Sequence, residues 1–196
     1  MFRFARVLAS LAVALLVVAG CSAGMERPGY PQISFAHLPP ISLDVARVEV
    51  VDAYVSPATA PNVEHRFPVS PAATAENWGR DRLKPVGASG VVRVTVRRAS
   101  VVEVPLERTK GLRGAFTVDQ SERYEGVIEM AVEIFGNDGE RRGMVEAQSK
   151  RTQTVPEDLS LNEREKIWFD MTDALMASMN KQLEEQIRAH LTSWVR

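Results

Sequence analysis

The chain has 196 residues, of which 24 are basic, 25 are acidic and one is cysteine. This length suits one globular domain with accessory segments, and the near-neutral charge disfavours nucleic acid as a partner, because phosphate-binding domains usually carry a basic excess. A lone cysteine excludes an intramolecular disulfide, which leaves intermolecular pairing, a free thiol or covalent modification.

The first twenty residues are organised like a secretory signal peptide. Arg3 and Arg6 precede a mainly apolar stretch of 13 residues, Val7 to Ala19, which is shorter than the roughly 20 residues that a membrane-spanning helix needs. Removal of this signal takes away two of the 24 basic residues and none of the 25 acidic ones, so the mature chain has a net charge of about −3.

The signal ends in Val18-Ala19-Gly20-Cys21, which resembles the lipobox of bacterial lipoproteins, an aliphatic residue followed by two small residues and cysteine. The resemblance implies cleavage between Gly20 and Cys21, attachment of acyl chains such as palmitate to the Cys21 sulfur, and usually a further acyl chain on the new amine. Each buried CH₂ contributes roughly 0.8 kcal/mol, so two or more chains hold a protein stably on a membrane.

The target membrane and the type of signal peptide each have an alternative interpretation. Ser22 follows the cysteine, and in lipoproteins of this kind a residue other than Asp there implies transfer to the periplasmic face of the outer membrane, with the inner membrane as the alternative. The other alternative is an ordinary signal peptide cleaved nearby, for example after Gly24, in which case Cys21 has no special role.

The segment after the cysteine is rich in proline and glycine and has neither helical nor strand periodicity. We therefore predict three regions: a signal peptide at 1–20, a lipidated Cys21 with a flexible tether at 21–41, and a single periplasmic domain at 42–196.

The first half of the domain is predicted to contain one strand and one helix. Leu43 to Val55 is rich in valine, which favours a strand that ends at Ser56-Pro57. Ser70-Pro71 predicts a helix start, because serine caps free backbone donors and proline at the first helical position has no amide to satisfy. The helix is expected to run to about Leu83 and to place Trp78 in the core.

Three strands are predicted next. In Gly90 to Val104 valines alternate with polar residues, and apolar residues again share one face between Tyr124 and Ile134. The sequence Gly136-Asn137-Asp138-Gly139 predicts a hairpin turn into a third strand from Glu140 to Thr154.

The last element is predicted to be a long amphipathic helix. Ser160 and Glu163 form an S-x-x-E capping box, and apolar residues recur every four positions from Ile167 to Leu191. A helix of some 35 residues would be about 50 Å long, which exceeds what a small sheet covers, so we expect its far end to need another partner. The element order predicts an α+β fold, a two-layer sandwich in which an antiparallel or mixed four-stranded sheet carries a short helix and a long C-terminal helix on one face.

The sequence contains no motif that predicts catalysis. His37, His65 and His190 lie far apart and outside metal-ligand spacing, and nucleophile elbows and phosphate-binding glycine loops are absent from the sequence. We therefore predict a protein that is not an enzyme and has no metal or cofactor.

Two sets of residues are candidates for contact with a partner or a lipid. The first is a basic set that could bind lipopolysaccharide phosphates or anionic lipid, because arginine presents a planar fork of donors to phosphate. The favoured alternative for Arg93 and Arg97 is pairing across strands with Glu125, Glu129 or Glu133. The full set is Arg93, Arg97, Arg98, Lys110, Arg113, Arg141, Arg142, Lys150 and Arg151.

The second set lies on the long helix and could form a groove for an acyl chain or a partner helix, because methionine adapts to varied apolar surfaces. Packing against the sheet is the favoured alternative. This set is Trp168, Met171, Met176 and Met179.

The lipobox, the tether and the element order together resemble small outer-membrane auxiliary lipoproteins of lipid-transport and lipopolysaccharide-assembly systems. The resemblance implies a membrane-anchored, non-enzymatic accessory subunit that docks on an envelope protein. The alternatives are a direct binder of lipid or lipopolysaccharide and an enzyme with a cleft that the sequence does not reveal.

Overall fold

The computed structural model describes residues 29–106, 120–156 and 158–196. Within these ranges the fold is α+β, as predicted. In chain order the elements are β1 (Ile41–Leu43), β2 (Arg47–Asp52), a 3-10 turn (Glu64–Arg66), α1 (Pro71–Arg82), β3 (Leu83–Pro85), β4 (Val91–Pro105), β5 (Gln120–Phe135), β6 (Arg141–Pro156) and α2 (Leu161–His190).

The main sheet has four strands in the order β2-β4-β5-β6. Strand β2 is parallel to β4, whereas the β4-β5 and β5-β6 pairs are antiparallel. The sheet is therefore mixed, which was one of the two predicted forms, and both helices pack on the same face. The three valines at 92, 94 and 96 are fully buried beneath the helices, as the alternation predicted.

The prediction of a single strand from Leu43 to Val55 is wrong. Two separate strands occupy this region, and β1 pairs in parallel with β3 in a small second sheet while β2 pairs with β4. The chain bends between them because the amide of Ala46 donates to the carbonyls of Ser89 and Gly90. Leu43, the last residue of β1, and Val45, within the bend, are both buried.

Helix α1 begins as predicted and ends at Arg82. The hydroxyl of Ser70 accepts a hydrogen bond from the amide of Ala73, and Pro71 occupies the first turn. The helix lies very close to the sheet, since a Cβ on Gly79 would be 3.0 Å from a methyl carbon of Val50. Trp78 is fully buried in the core, as predicted.

Helix α2 begins at the predicted capping box, in which Ser160 and Glu163 satisfy each other's backbone amides. Its 30 residues correspond to about 45 Å. Strands β4, β5 and β6 have 15 or 16 residues each, which corresponds to about 50 Å. The helix is therefore no longer than the strands beneath it.

The expectation that the far end of this helix needs another partner is wrong. Leu191 is 1% exposed, and a Cβ on Gly143 would be 3.1 Å from the Trp194 ring. Val195 forms an isolated β-bridge with Leu43. The segment after the helix thus closes the core of the same domain.

The second half of the predicted tether packs on the domain. Ile33 and Phe35 belong to the hydrophobic core, and the Asp81 carboxylate accepts hydrogen bonds from the Ser34 hydroxyl and the Phe35 amide. Packing thus begins well before the predicted domain boundary at residue 42. None of the described helices is long and apolar enough to cross a membrane.

Candidate functional site

The four candidate contact residues on α2 are core residues. Trp168, Met171, Met176 and Met179 are each at most 2% exposed. The ring of Trp168 stacks on Phe67 with the ring centres 5.1 Å apart. The favoured alternative, packing against the sheet, therefore describes these side chains, and their apolar stripe is already covered.

The other two candidates, Arg93 and Arg97, lie on the side of the main sheet that faces away from the helices, which we call the open face. Its outward side chains include Arg47, Glu49 and Val51 on β2; Arg93, Thr95, Arg97 and Arg98 on β4; Val127, Glu129, Glu133 and Phe135 on β5; and Met144, Glu146, Gln148 and Lys150 on β6.

Arg93 is held between a carboxylate and an aromatic ring. Its guanidinium donates two hydrogen bonds to Oε2 of Glu49, at 3.1 and 3.2 Å, and lies 4.7 Å from the centre of the Phe135 ring. Hydrogen bonds from Arg93 and then from Arg47 lower the pKa of Glu49. The predicted pairing across strands is present, but with Glu49 in place of a β5 glutamate.

Arg97 pairs across the sheet with Glu146 on β6. Its neighbour Arg98 lies 3.9 Å from Glu129, and a register shift in the β4-β5 pairing falls between Val96 and Arg98. A shallow depression of about 360 Å³ lies in front of Arg97, Glu146 and Gln148.

The remaining members of the basic set that the structure describes either pair with a carboxylate of their own or are exposed. Arg141 donates to Glu133 at 2.9 Å, and Arg142 pairs with Asp138 in the hairpin turn. Lys150 and Arg151 are exposed on β6. Lys110 and Arg113 lie outside the described residues, as do Gly20 and Cys21 of the lipobox.

Strand β6 is one edge of the main sheet. It has 16 residues, and its backbone pairs with β5 on one side only in the part of the chain that the structure describes. Alternate backbone amides and carbonyls of β6 therefore point away from the sheet. The open face and this edge together form one continuous surface.

The structure contains a buried guanidinium that sequence reasoning missed. Arg82 is 1% exposed and donates to Oδ1 of Asn180 at 2.9 Å, to the Pro39 carbonyl and to Glu184. Asn180 also accepts a hydrogen bond from Trp78 Nε1. This network joins both helices to the N-terminal segment. The sequence did contain an indication of this burial, since Trp78 and Arg82 are four residues apart and therefore share one face of α1.

A buried carboxylate was also missed. Glu64 is 6% exposed and accepts hydrogen bonds from Tyr54 at 2.7 Å, from Ser56 at 2.5 Å and from the Val101 amide at 3.1 Å. Burial alone would raise the pKa of Glu64, but these donors lower it below its ordinary value. Burial and then the Glu64 carboxylate raise the pKa of Tyr54. The cluster fastens the β2-α1 connection to β4.

The histidines lie apart. His37 precedes β1, His65 is in the 3-10 turn and His190 is the last residue of α2, and all three are exposed. Among the described residues, no group of three or more histidine, cysteine, aspartate or glutamate side chains could hold a metal ion.

No protein-family model matches the chain, and no curated protein matches it. One solved structure with some similarity is the rare lipoprotein B from Shewanella oneidensis, at 13% sequence identity and a TM-score of 0.29, where the match covers 71% of this chain and 97% of that chain. A similarity at this level assigns neither fold nor function to the chain.

Proposed function

We propose that the chain is a lipoprotein of the bacterial envelope that acts without catalysis, as an accessory subunit docking on another envelope protein. Acyl chains on Cys21 hold it on the periplasmic face of the outer membrane. The observation that carries the docking role is the open face, because the helices cover only the opposite side of the sheet.

The composition of the open face suits a protein partner. Arginine, methionine and aromatic residues are enriched in protein interfaces, and the open face combines the arginines of β2 and β4 with Met144 and Phe135. Val51 adds a large apolar side chain that is 40% exposed. Arginines already aligned by carboxylates lose little conformational freedom when a partner binds.

The same contacts favour a protein partner over lipopolysaccharide. A phosphate site needs arginines whose donors converge on one point, whereas Arg93, Arg97 and Arg141 each donate to a different glutamate. A phosphate that bound all three arginines would have to displace three separate carboxylates. The proposal therefore places partner contact, and not anionic lipid, on the open face.

The buried titratable groups support a role without catalysis. A general acid or base must be able to exchange its proton with a substrate. The carboxylate of Glu64 is enclosed by Tyr54, Ser56 and the Val101 amide, and these donors have structural roles. The guanidinium of Arg82 is likewise engaged by both helices.

Affinity purification of the full lipoprotein from detergent-solubilised membranes tests this function. We compare the wild-type protein with two charge reversals, Arg97→Glu on the open face and Lys181→Glu on the outer face of α2, where Lys181 is 77% exposed. The Arg97 change replaces a cation of the open face by a carboxylate beside Glu146, so a partner that complements Arg97 meets a like charge, which costs several kcal/mol across an interface.

We expect one envelope protein to co-purify stoichiometrically with the wild-type protein and with Lys181→Glu, and at least about tenfold less of it with Arg97→Glu. No stoichiometric partner in any preparation would contradict the docking role. Equal recovery with both variants would contradict the choice of the open face.

A further inference from the structure

The N-terminal segment joins the domain at one particular end. The Tyr30 hydroxyl donates to the backbone carbonyl of Asn162, at 3.4 Å, in the first turn of α2. The ring centre of Tyr30 lies 5.2 Å from that of Phe169, two turns further along the helix. The first described residues of the chain are therefore fixed beside the start of α2.

The start of α2 and the hairpin turn of the main sheet lie at opposite ends of the domain. Near the start of α2, Arg164 pairs with Glu122 in the first residues of β5, and beyond the last residue of α2, Trp194 packs against Gly143. Gly143 follows the β5-β6 turn closely. The two ends are separated by the length of α2, whose 30 residues correspond to about 45 Å.

The chain between Cys21 and Gly29 is short. Eight residues span at most about 29 Å when fully extended, and a flexible chain of this length has a root-mean-square reach of about 16 Å. If acyl chains hold Cys21 at the membrane surface, as the proposed function requires, the start of α2 must remain close to that surface.

We infer that the end of the domain formed by Tyr30 and the first turn of α2 faces the phospholipid surface in which Cys21 is anchored. The opposite end, with the β5-β6 turn, extends away from the membrane. This inference rests on the proposed function, because it needs an acylated Cys21. In this orientation the open face does not lie against the membrane and is accessible to a partner in the periplasm.

The apolar side chains at this end are suited to a lipid surface. Leu161, the first residue of α2, is 54% exposed and lies next to the residue that Tyr30 contacts. Tyrosine is enriched at membrane–water interfaces, and leucine occurs on the apolar face of helices that lie in the interface. The nearby cations are paired, Arg164 with Glu122 and Lys166 with Asp170, so contact depends on the short tether and on apolar side chains.

The chain offers a matched pair of positions for a test. Leu161 is 54% exposed and Val86 is 49% exposed, and Val86 lies at the far end, where its amide donates to the Leu43 carbonyl. Because Cys21 is the only cysteine and would carry lipid, the variants Leu161→Cys and Val86→Cys each provide one free thiol for a fluorophore.

Both labelled full-length lipoproteins are reconstituted into vesicles of phosphatidylethanolamine and phosphatidylglycerol that contain a lipid with a nitroxide on its headgroup. Mass spectrometry of the N-terminal peptide of each sample reports the acylation of Cys21. We expect the label at 161 to be quenched at least about threefold more strongly than the label at 86, because the two ends lie about 45 Å apart.

Equal quenching, or stronger quenching at 86, in protein whose Cys21 is acylated would overturn the inference and leave the anchor of the proposed function intact. A Cys21 that carries no acyl chain would overturn both. A third pair of samples, the same two labelled proteins with about 20 glycine and serine residues inserted after Gly24, should show a smaller difference in quenching, because the flexible tether then has a root-mean-square reach of about 30 Å. A difference in quenching that the insertion leaves unchanged would contradict control by tether length.

Discussion

The guanidinium of Arg82 in α1 donates to the carboxylate of Glu184 in α2 from a position that is almost completely buried. Only the arginine is enclosed, since 31% of the Glu184 side chain is exposed. Arg188 donates to the other oxygen of Glu184 at 2.9 and 3.0 Å. The pair therefore joins the two helices at a point where the Arg82 guanidinium is buried away from water and depends on its hydrogen-bond partners.

Replacement of this arginine should be costly. We expect Arg82→Met to lower the free energy of unfolding by about 2–3 kcal/mol, because it leaves the Pro39 carbonyl without its donor and Asn180 with Trp78 alone. Urea denaturation followed by circular dichroism measures the loss. Arg80→Met is the control, since Arg80 is 55% exposed in an i,i+4 pair with Glu76 and should cost less than about 1 kcal/mol. Equal losses would contradict the buried network.

The Glu64 cluster should make stability depend on pH in the acid range. Hydrogen bonds from Ser56, Tyr54 and the Val101 amide outweigh burial and hold the pKa of Glu64 below its ordinary value, so the unfolded chain takes up a proton here before the folded protein does. Its contribution is fully present above the unfolded pKa and is lost as pH falls through the folded pKa. We expect the urea midpoint to fall as pH decreases from about 5.

Glu64→Gln removes this dependence and should cost about 1–3 kcal/mol at neutral pH, because the buried donors lose their charged acceptor. The pH titration of the variant should be shallower than that of the wild-type protein between about pH 5 and pH 3. Glu185→Gln is the exposed control, with 65% of its side chain accessible. A wild-type slope retained in Glu64→Gln would show that other carboxylates cause it.

The methionines of α2 should behave as core residues. Met176 is fully buried, so Met176→Ala should lower the free energy of unfolding by about 2–5 kcal/mol. Ser178→Ala, on the exposed side of the same helix, should change it by less than about 0.5 kcal/mol. A methionine that lined an open groove would cost little on truncation, and a small loss at Met176 would support that alternative.

Close packing of α2 on the sheet should be sensitive at Gly126. A Cβ there would lie 2.7 Å from Cε of Met171 and 2.8 Å from a methyl carbon of Leu175. We expect Gly126→Ala to cost about 1 kcal/mol in chemical denaturation, because both methyls end side chains that can shift, but only within a packed core. Adding Met171→Val removes the nearer methyl, so the double variant should lose at least about 0.5 kcal/mol less than the sum of the single losses. Strict additivity would contradict the contact.

Local sequence patterns predicted the elements in which the alternation or spacing of the side chains itself reflects which of them are buried. Alternating valines identified β4, and the Ser160 capping box gave the start of α2 to the residue. The same logic failed between Leu43 and Val55, because a run of β-branched residues does not specify which strand it pairs with. The bend at Ala46 depends on the carbonyls of Ser89 and Gly90, which are more than forty residues away.

The length of α2 could not be judged from the helix alone. Whether about 45 Å of helix is too long depends on the strands beneath it, and the predicted β5 and β6 were shorter than the strands in the structure. The buried partners of Arg82 and Glu64 were also invisible, because the Arg82-Glu184 and Glu64-Val101 contacts span 102 and 37 residues of sequence. Local spacing carries no information about such pairs.

The central claim is that a partner docks on the open face, and site-specific photocrosslinking in cells tests it most directly. Gln148 on the open face and Gln186 on the outer side of α2 are both exposed, so each is replaced in turn by a photoreactive phenylalanine in the full-length lipoprotein. We predict that illumination crosslinks position 148, and not position 186, to a single envelope protein. Crosslinking at 186 alone, or equally at both positions, would contradict the account.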